Sequence, residues 1–317
     1  MNDKNLKTNV AFETAKRYLL MIGLVVVIIV LFTSMQPAFF SVMNLRNTII
    51  DIALPVIVAA GMMIVIAGGG LDMSIGPICG FASLLSSLFM VNAGLPIAVS
   101  VAIGIAAGTG IGAINGLMVS RAGIDSFIAT LGMQFVLLGI RYWLTGGKTI
   151  SRLPQEFLAA GRGDLIGIPK LTIFMIVIVV IFIFVIDYTI FGRRLTSLGM
   201  NIEATRLSGI NVKNMTLSAF ALSGLLSSVC GVLLAAKTST VTVDSGDSYT
   251  LDALTIAVFS YSIFGRAKPI GLVIAAVIIV LLTNGFSMIG ASPSWINMIK
   301  GVIMLAAIIV GRIINKK

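Results

Sequence analysis

The sequence has no histidine, two cysteines and few charged residues, 11% of a chain of 317. Without histidine the chain lacks the commonest general base and the commonest metal ligand of proteins. Cys79 and Cys230 both lie inside apolar runs, where we expect them to pack as small hydrophobic residues and not to form a disulfide or a metal site. We therefore expect no catalytic residue, no metal site and no cofactor bound by this chain.

Apolar residues fill the sequence instead: they make up 58% of the chain, and the mean hydropathy is +1.08. Apolar runs near membrane-spanning length recur from residue 18 to the end. They predict an all-α, polytopic membrane protein in which residues 1–317 form one transmembrane domain. No small-residue cleavage site follows the long first run, so we expect an uncleaved first helix. The ten expected spans are centred near residues 27, 58, 82, 107, 136, 180, 224, 257, 279 and 304.

The net charge of +10 comes from 22 lysines and arginines scattered through short loops and the two termini. This scatter indicates membrane topology and argues against a nucleic-acid interface. The bias favours both termini in the cytoplasm, and the inside charges include Lys4, Lys7, Lys316 and Lys317. Most of the outside charges lie on one long segment, residues 141–170. They are Arg141, Lys148, Arg152, Arg162 and Lys170.

Two internal similarities predict a repeat. Residues 44–47, Asn-Leu-Arg-Asn, resemble residues 211–214, Asn-Val-Lys-Asn, and the Asn-Gly step at 115–116 recurs at 284–285 at nearly the same offset. Five predicted spans separate the copies, and because five is odd, equivalent helices would cross the membrane in opposite directions. Inverted repeats of this kind are typical of transporters, and chance similarity between apolar sequences is the alternative. The two expected copies are residues 44–146 and 211–314.

The stretch GGGLDMSIGP, residues 68–77, interrupts an apolar run. Each of its three glycines weakens a helix by about 1 kcal/mol relative to alanine, and Pro77 removes a backbone donor, so we expect the helix to break or bend here. Inside a bilayer such a break must be satisfied by protein or water, and Asp72 and Ser74 would face a cavity or another helix. The alternative is a short polar loop at the cytoplasmic surface.

The stretch GMNIEATRLSGIN, residues 199–211, lies in the largest predicted cytoplasmic loop, residues 190–211. Two glycines bracket a segment of helix formers in which Glu203 comes early and Arg206 late, an order that suits the helix dipole. Three apolar side chains of this segment could enter a groove on a partner protein. The alternative is an interfacial helix that lies on the lipid headgroups.

Both stretches resemble motifs of one family. GGGLDMSIGP is similar to the GG-[IV]-D-[LVM]-S-[VI]-G stretch of permease subunits of ribose-type sugar importers of the ATP-binding-cassette class. GMNIEATRLSGIN is similar to the cytoplasmic loop through which those subunits contact their ATPase. Residues 127–132, Phe-Ile-Ala-Thr-Leu-Gly, resemble the start of a core helix of the family, and residues 251–253 and 284–285 are further matches. The matches follow one another along essentially the whole chain, so it is identified as a member of this binding-protein-dependent permease family.

This resemblance implies a transport subunit and not an enzyme. It implies a ten-span permease of an ATP-driven importer, for a monosaccharide such as ribose, in the inner or plasma membrane of a prokaryote. Two copies, or a pair of homologues, would surround one pathway. The other partners would be a cytoplasmic two-cassette ATPase, which binds the ATP and Mg, and an extracytoplasmic sugar-binding protein. The residues that match the ATPase-coupling motif are Asn201, Glu203, Ala204, Arg206, Leu207 and Gly209.

The sequence departs from the family pattern at residues 257–271, AVFSYSIFGRAKPIG. The family usually has a glycine-rich stretch there, whereas this chain has Phe259, Tyr261 and Phe264. Because glycines let membrane helices approach closely, we expect this difference to alter helix packing or the shape of the pathway.

A neutral sugar needs hydrogen-bond partners but no deep charged site. Polar residues within the apolar runs are therefore the candidates for lining or gating a pathway. They are Asp72, Ser74, Asn115, Thr130, Asp252, Ser260, Asn284 and Trp295. Helix capping by the Asn-Gly steps and interfacial anchoring by Trp295 are the alternatives.

Two other functions fit a polytopic chain. A ten-span secondary carrier driven by protons or sodium would pair acidic residues at mid-membrane, and its candidates are Asp51, Asp72 and Asp252. Such a carrier has no use for a coupling segment. A membrane-embedded enzyme would need convergent acid–base or metal groups, which the sequence does not offer.

Overall fold

The computed structural model describes the backbone of residues 3–314 and the side chains of residues 14–313. The side chains of the terminal lysines counted above, Lys4, Lys7, Lys316 and Lys317, lie outside this range. The described chain is almost entirely helical, and the predicted all-α membrane fold is confirmed. Its helices are α1 (Asp3–Met35), α2 (Val42–Ala67), α3 (Ile75–Val91), α4 (Ile97–Ser120), α5 (Ser126–Thr145), α6 (Gln155–Arg162), α7 (Lys170–Ile183), α8 (Ile190–Met200), α9 (Ile202–Leu207), α10 (Val212–Thr238), α11 (Ser248–Phe264), α12 (Pro269–Met288) and α13 (Pro293–Ile314).

Three short elements complete the described chain. A 3-10 turn, Pro37–Phe40, follows α1, and a π-helical turn, Phe184–Tyr188, continues α7. Between α6 and α7, strands β1 (Asp164–Leu165) and β2 (Ile168–Pro169) form an antiparallel hairpin.

Eight of the described helices are long and apolar enough to cross a bilayer: α1, α2, α4, α5, α7 with its π-helical turn, α10, α12 and α13. The other two predicted spans coincide with α3 and α11, which have 17 residues each. At a rise of 1.5 Å per residue such a helix reaches about 25 Å, less than the hydrocarbon core of about 30 Å. Each of the ten predicted span centres falls within a helix, and α3 and α11 are at the lower limit of spanning length.

Residues 53–254 form one compact unit, in which α3 and α4 pack on α10. A Cβ added at Gly112 of α4 would come within 2.9 Å of the Cα of Gly224 in α10, so the two backbones are in direct contact. Gly231 of α10 likewise lies directly against the backbone of Cys79 in α3. Small residues at such contacts are typical of helix pairs in membranes. The glycines of α4 that recur every four residues are Gly104, Gly108, Gly112 and Gly116.

The described parts of residues 1–52 and 255–317 form a second unit, in which α1 packs on α12. Gly285 of α12 leaves room for the ring of Phe32. This ring also contacts Phe39 and Phe286, with centroids 5.4 and 5.2 Å away. Aromatic packing beside a glycine therefore holds this unit together.

One of the bulky residues of α11, Phe264, lies beside a glycine of another helix. Phe264 packs against Tyr18 of α1, with ring centroids 4.7 Å apart. Gly271 of α12 lies against the Phe264 ring, where any Cβ would collide with it. The departure from the family pattern is thus accommodated locally, with the aromatic ring on α11 and the glycine on α12.

The inverted repeat stays a prediction, and the helix lengths support it. In chain order, α2 to α5 have 26, 17, 24 and 20 residues. The helices α10 to α13 have 27, 17, 20 and 22 residues. Each expected copy therefore has one short helix, in second place.

The long charged segment 141–170 is only partly a loop. Arg141 lies inside α5 with a fully buried side chain, so its interpretation as a loop charge is wrong. The helix α6 packs Phe157 and Leu158 into an apolar cluster with the end of α10. Gly161 of α6 lies directly against the backbone of Ala236. The segment after α5 is therefore a folded cap on α10.

Candidate functional site

The predicted break after the second span is present. The helix α2 ends at Ala67, α3 begins at Ile75, and residues 68–74 between them form turns. Gly69 has φ +85°, a left-handed conformation that glycine adopts without strain. Asp72 and Ser74 are 0% exposed. These two polar side chains therefore point into the unit, whereas Gly69 is exposed, so the break reaches the surface of its unit with its polar groups turned inward.

Three of the predicted residues, Asp72, Ser74 and Asn115, meet at this break together with a serine of α10. The carboxylate of Asp72 accepts hydrogen bonds from the backbone N–H of Ser74 at 3.0 Å and from its hydroxyl at 2.6 Å. It also accepts one from the hydroxyl of Ser223 in α10 at 2.8 Å. The Nδ2 of Asn115 in α4 donates to the Ser74 Oγ at 2.8 Å. We call Asp72, Ser74, Asn115 and Ser223 the Asp72 cluster.

The start of α5 satisfies the backbone of the broken segment. The hydroxyl oxygen of Thr130 accepts from the N–H of Met73 at 2.9 Å, and that of Ser126 accepts from the N–H of Leu71 at 3.0 Å. A broken helix leaves such donors without a backbone partner, and in a membrane protein other groups must take them. Thr130 therefore supports the break, and its assignment to a pathway stays a prediction.

This arrangement joins one irregular segment to three helices, α4, α5 and α10. Its groups are one carboxylate, hydroxyls and an amide, which can hold or release a backbone segment but form no metal site among the described residues. The Asn115 Oδ1 is buried and has no described hydrogen-bond partner. Sequence reasoning missed Ser126 and Ser223. The signal for Ser223 was a run of serines, 223, 227 and 228, inside an otherwise apolar span.

The other predicted pathway residues lie elsewhere. Asp252 is half-buried in α11, and Ser260 is buried there with no described partner for its hydroxyl. The amide of Asn284 is engaged with that of Asn44, at 3.0 and 3.2 Å. Trp295 is 60% exposed. The assignment of these residues to a pathway stays a prediction.

The predicted coupling segment, residues 199–211, contains a short exposed helix, α9. Asn201 caps it by accepting a hydrogen bond from the N–H of Ala204 at 2.9 Å. Glu203 and Arg206 form an exposed ion pair at 3.3 Å. Leu207 is 87% exposed. Gly209 ends the segment with φ +77°, a conformation that disfavours other residues.

The coupling segment touches the break directly. Gly199, near the end of α8, lies against the carbonyl of Ala67, where a Cβ would collide with it. A Cβ at Gly69 would lie 3.5 Å from the Cα of Gly199, and one at Gly68 would lie 3.2 Å from the Cδ1 of Leu195 in α8. Gly199 meets Ala67 and Gly69 backbone to backbone, so α8 is in direct contact with the start of the break.

A second irregular connection, residues 239–247, precedes α11. The guanidinium of Arg141 donates to the Asp247 carboxylate at 2.8 Å and to the carbonyl of Ser245 at 3.2 Å. Gly80 of α3 leaves the space for this contact. Partial burial raises the pKa of the Asp247 carboxyl, and the Arg141 guanidinium acts in the opposite direction. Sequence reasoning missed this ion pair, which ties α5 to the connection.

Comparisons with known proteins give the family. Residues 44–308 match the family model described as "Branched-chain amino acid transport system / permease component". The chain is 32% identical over 300 residues to the ribose import permease protein RbsC of Escherichia coli (strain K12), covering 92% of this chain and 91% of that protein. It is 32% identical over 295 residues to RbsC of Bacillus subtilis (strain 168), with the same coverage.

A third relative carries another substrate in its name. The galactose/methyl galactoside import permease protein MglC of Escherichia coli (strain K12) is 32% identical over 309 residues, covering 90% of this chain and 92% of that protein. The matches extend over nearly the full length of each protein, as the motifs predicted. The chain therefore belongs to this family of transport permeases, and it is a multi-pass membrane protein.

Proposed function

We propose that this chain is the membrane-spanning permease subunit of an ATP-driven, binding-protein-dependent importer for a monosaccharide, most similar in chemistry to ribose. The observation that carries the proposal is the direct contact between the coupling segment and the break. Gly199 lies against the backbone of Ala67 and Gly69. A permease that binds no nucleotide itself needs such a mechanical link to an ATPase.

The substrate class rests on the named relatives and on the chemistry of the candidate site. Two of the relatives are ribose import permeases, and one is a galactose/methyl galactoside permease. The candidate pathway groups, Ser74, Asn115 and Thr130 among them, are neutral hydrogen-bonding groups suited to a sugar. We therefore favour a neutral sugar over the amino acid in the family description.

The coupling would act through the Asp72 cluster. A partner ATPase that moves α9 also moves α8, whose Gly199 bears on the start of the break. The break is tied to Asn115 of α4 and to Ser223 of α10 through Asp72 and Ser74. A small displacement would then be distributed to two spans and open the pathway alternately to each side, in the manner of transporters with repeats.

The partners follow from this role. A cytoplasmic ATPase with two cassettes would bind ATP and Mg, an extracytoplasmic protein would deliver the sugar, and a second permease, identical or homologous, would complete the pathway. With α9 facing the ATPase, both termini lie in the cytoplasm of a prokaryotic cell, and the membrane is the inner or plasma membrane. The positive charges of the loops favour the same orientation.

The rival, an ion-coupled carrier, receives less support. Its mechanism would pair carboxylates within the membrane. The hydrogen bonds described for Asp72 come from serine groups, and no second carboxylate is among them. The exposed coupling helix also has no role in a carrier.

The first experiment is purification of the tagged chain from native membranes. A two-cassette ATPase should copurify with the wild type and be lost from Gly209→Leu, because leucine is strained at φ +77° and distorts the end of the segment. Glu203→Ala should weaken the association. Gln155→Ala, an exposed change in α6, is the matched control and should retain the ATPase.

Reconstitution then tests the substrate and the energy source. In proteoliposomes with the ATPase and the binding protein, we expect ATP-dependent uptake of labelled ribose, competed by other monosaccharides and not by leucine. Uptake that follows a proton or sodium gradient without ATP would establish the carrier instead, and competition by leucine alone would reassign the substrate class.

A further inference from the structure

The tip of the β1–β2 hairpin, residues 165–168, is apolar and exposed. Leu165 and Ile168 are cross-strand partners, so their side chains leave the hairpin on one face. They are 54% and 49% exposed, and Ile166 in the turn is 95% exposed. Three large apolar side chains thus project from a hairpin that buries none of them fully.

The turn itself does not favour isoleucine. Ile166 has φ +52° and Gly167 has φ +77°. A two-residue hairpin turn with both φ values positive prefers Asn-Gly, and a β-branched residue in this conformation is an outlier. Glycine at the second position fits, whereas isoleucine at the first is unfavourable for both backbone and solvation. Neither the turn geometry nor packing within the described residues therefore accounts for isoleucine at this position.

The hairpin leads directly into a membrane span. Strand β2 ends at Pro169, and α7 begins at Lys170. With its π-helical turn, α7 has a mean hydropathy of 2.9 and is only 22% buried, so most of its apolar surface faces outward. Ile168 is about 7 Å along the chain from the start of this span. A residue this close to a span is within reach of the headgroup layer, into which interfacial segments insert their apolar groups by about 5–10 Å.

Aromatic residues mark the same side of this unit. The last turns of α5 carry Tyr142 and Trp143, which are 55% and 82% exposed. Because α5 ends and α7 begins on the same side of a bilayer that both cross, these rings and the hairpin tip share one membrane surface. Tyrosine and tryptophan are enriched at such surfaces.

We propose that the hairpin tip inserts into the lipid interface beside α7 and anchors residues 146–169 to the membrane surface. Lipid is favoured as the occupant because the tip is continuous with the outward apolar face of α7. The anchored segment is attached to the end of α10, because α6 packs there and Arg162 donates a hydrogen bond to the carbonyl of Lys237 at 2.8 Å. The depth of the tip in the bilayer would then fix the position of that end of α10.

Tryptophan fluorescence in liposomes tests this proposal without any transport partner, so its result is independent of the proposed transport function. The reporter is Ile166→Trp in a Trp143→Phe, Trp295→Phe background, and the matched control is Gln155→Trp in α6. In phosphatidylcholine liposomes the reporter should emit at shorter wavelength than the control. Lipids brominated near the headgroup should quench it about twofold more than lipids brominated near the chain end, as expected for an interfacial depth.

Two results would overturn the proposal. Long-wavelength emission with free access to acrylamide and no quenching by brominated lipid would place the tip in water. Shielding that develops only after the sugar-binding protein is added would make that protein the occupant.

A second variant guards against misfolding of the reporter. Asparagine suits the first position of this turn, so Ile166→Asn should keep the hairpin folded. With Leu165→Trp as the reporter, this variant should lower quenching by brominated lipid by about half, because the inserted isoleucine side chain is lost. Unchanged quenching would contradict insertion of Ile166.

Discussion

The two irregular connections, residues 68–74 and 239–247, each precede a helix of 17 residues and each contain an aspartate with described partners, yet they are held differently. Asp72 is fully buried and accepts hydrogen bonds from neutral serine groups. Asp247 is 34% exposed and is paired with one fully buried guanidinium, that of Arg141.

The two connections differ in the number of helices that hold them. Short polar side chains of α4, α5 and α10 form hydrogen bonds with the first connection, so three helices hold it in place. The second connection depends on one long side chain of α5 that reaches both Asp247 and the carbonyl of Ser245. Removal of one hydrogen-bonding group should therefore lower the free energy of unfolding less at the first connection than at the second. The exception is Asp72, because it is the acceptor that several groups of the first connection share.

Removal of the shared acceptor should have the largest effect. Asp72→Ala leaves the N–H of Ser74 and the hydroxyls of Ser74 and Ser223 without their acceptor, and should lower the free energy of unfolding by about 3–4 kcal/mol. Unfolding in mixed micelles measures it. Asp72→Asn keeps one acceptor oxygen and should lose about half as much. Equal stability of the alanine variant and the wild type would show that the cluster does not hold the break.

Removal of the guanidinium should come next. Arg141→Ala should lower the free energy of unfolding by about 2–3 kcal/mol, less than is usual for a buried ion pair because the exposed third of Asp247 can be hydrated. A double-mutant cycle with Asp247→Ala isolates the pair. A coupling energy near zero would mean that Arg141 acts only by filling space.

A single donor of the Asp72 cluster should matter less. Ser223→Ala should cost about 1–2 kcal/mol in the free energy of unfolding because one buried hydrogen bond to the carboxylate is lost. Ser227→Ala is the matched control, since its hydroxyl bonds only to a carbonyl of its own helix, and it should cost about 0.5 kcal/mol or less. Equal losses in the two variants would remove the distinction between cluster and helix.

The exposed coupling helix should have the smallest effect on stability. Glu203→Ala breaks an exposed pair with Arg206 and should change the free energy of unfolding by about 0.5 kcal/mol or less. The same variant should reduce the ATP-dependent uptake of sugar in proteoliposomes. Normal uptake would remove Glu203 from the coupling surface.

Local patterns allowed much of this to be predicted. The apolar runs located every long helix, and the glycines with Pro77 located the break. The short polar residues Ser74, Asn115 and Thr130 stood out because polar groups are costly in lipid, and two of the three helices joined to the break, α4 and α5, were thereby identified. Their partners could not be predicted, because which distant serine meets Asp72 depends on how the helices pack.

Arg141 shows why charge counting fails inside a membrane protein. The rule treats an arginine near the end of an apolar run as a topology signal, and Tyr142 and Trp143 beside it support an interface. The tertiary structure instead offers a carboxylate and a carbonyl at 2.8 and 3.2 Å, which make burial of the guanidinium possible. Nothing local to residue 141 encodes an acceptor more than one hundred positions away.

The contact between Gly112 and Gly224 has a genetic consequence. Because the backbone of each helix occupies the space where the other would place a Cβ, every missense codon at either position introduces a collision, whatever its polarity. In a saturation library selected for growth on the transported sugar, only synonymous codons should survive at these two positions. These two positions should tolerate fewer amino-acid substitutions than position 72, where asparagine keeps part of the hydrogen bonding.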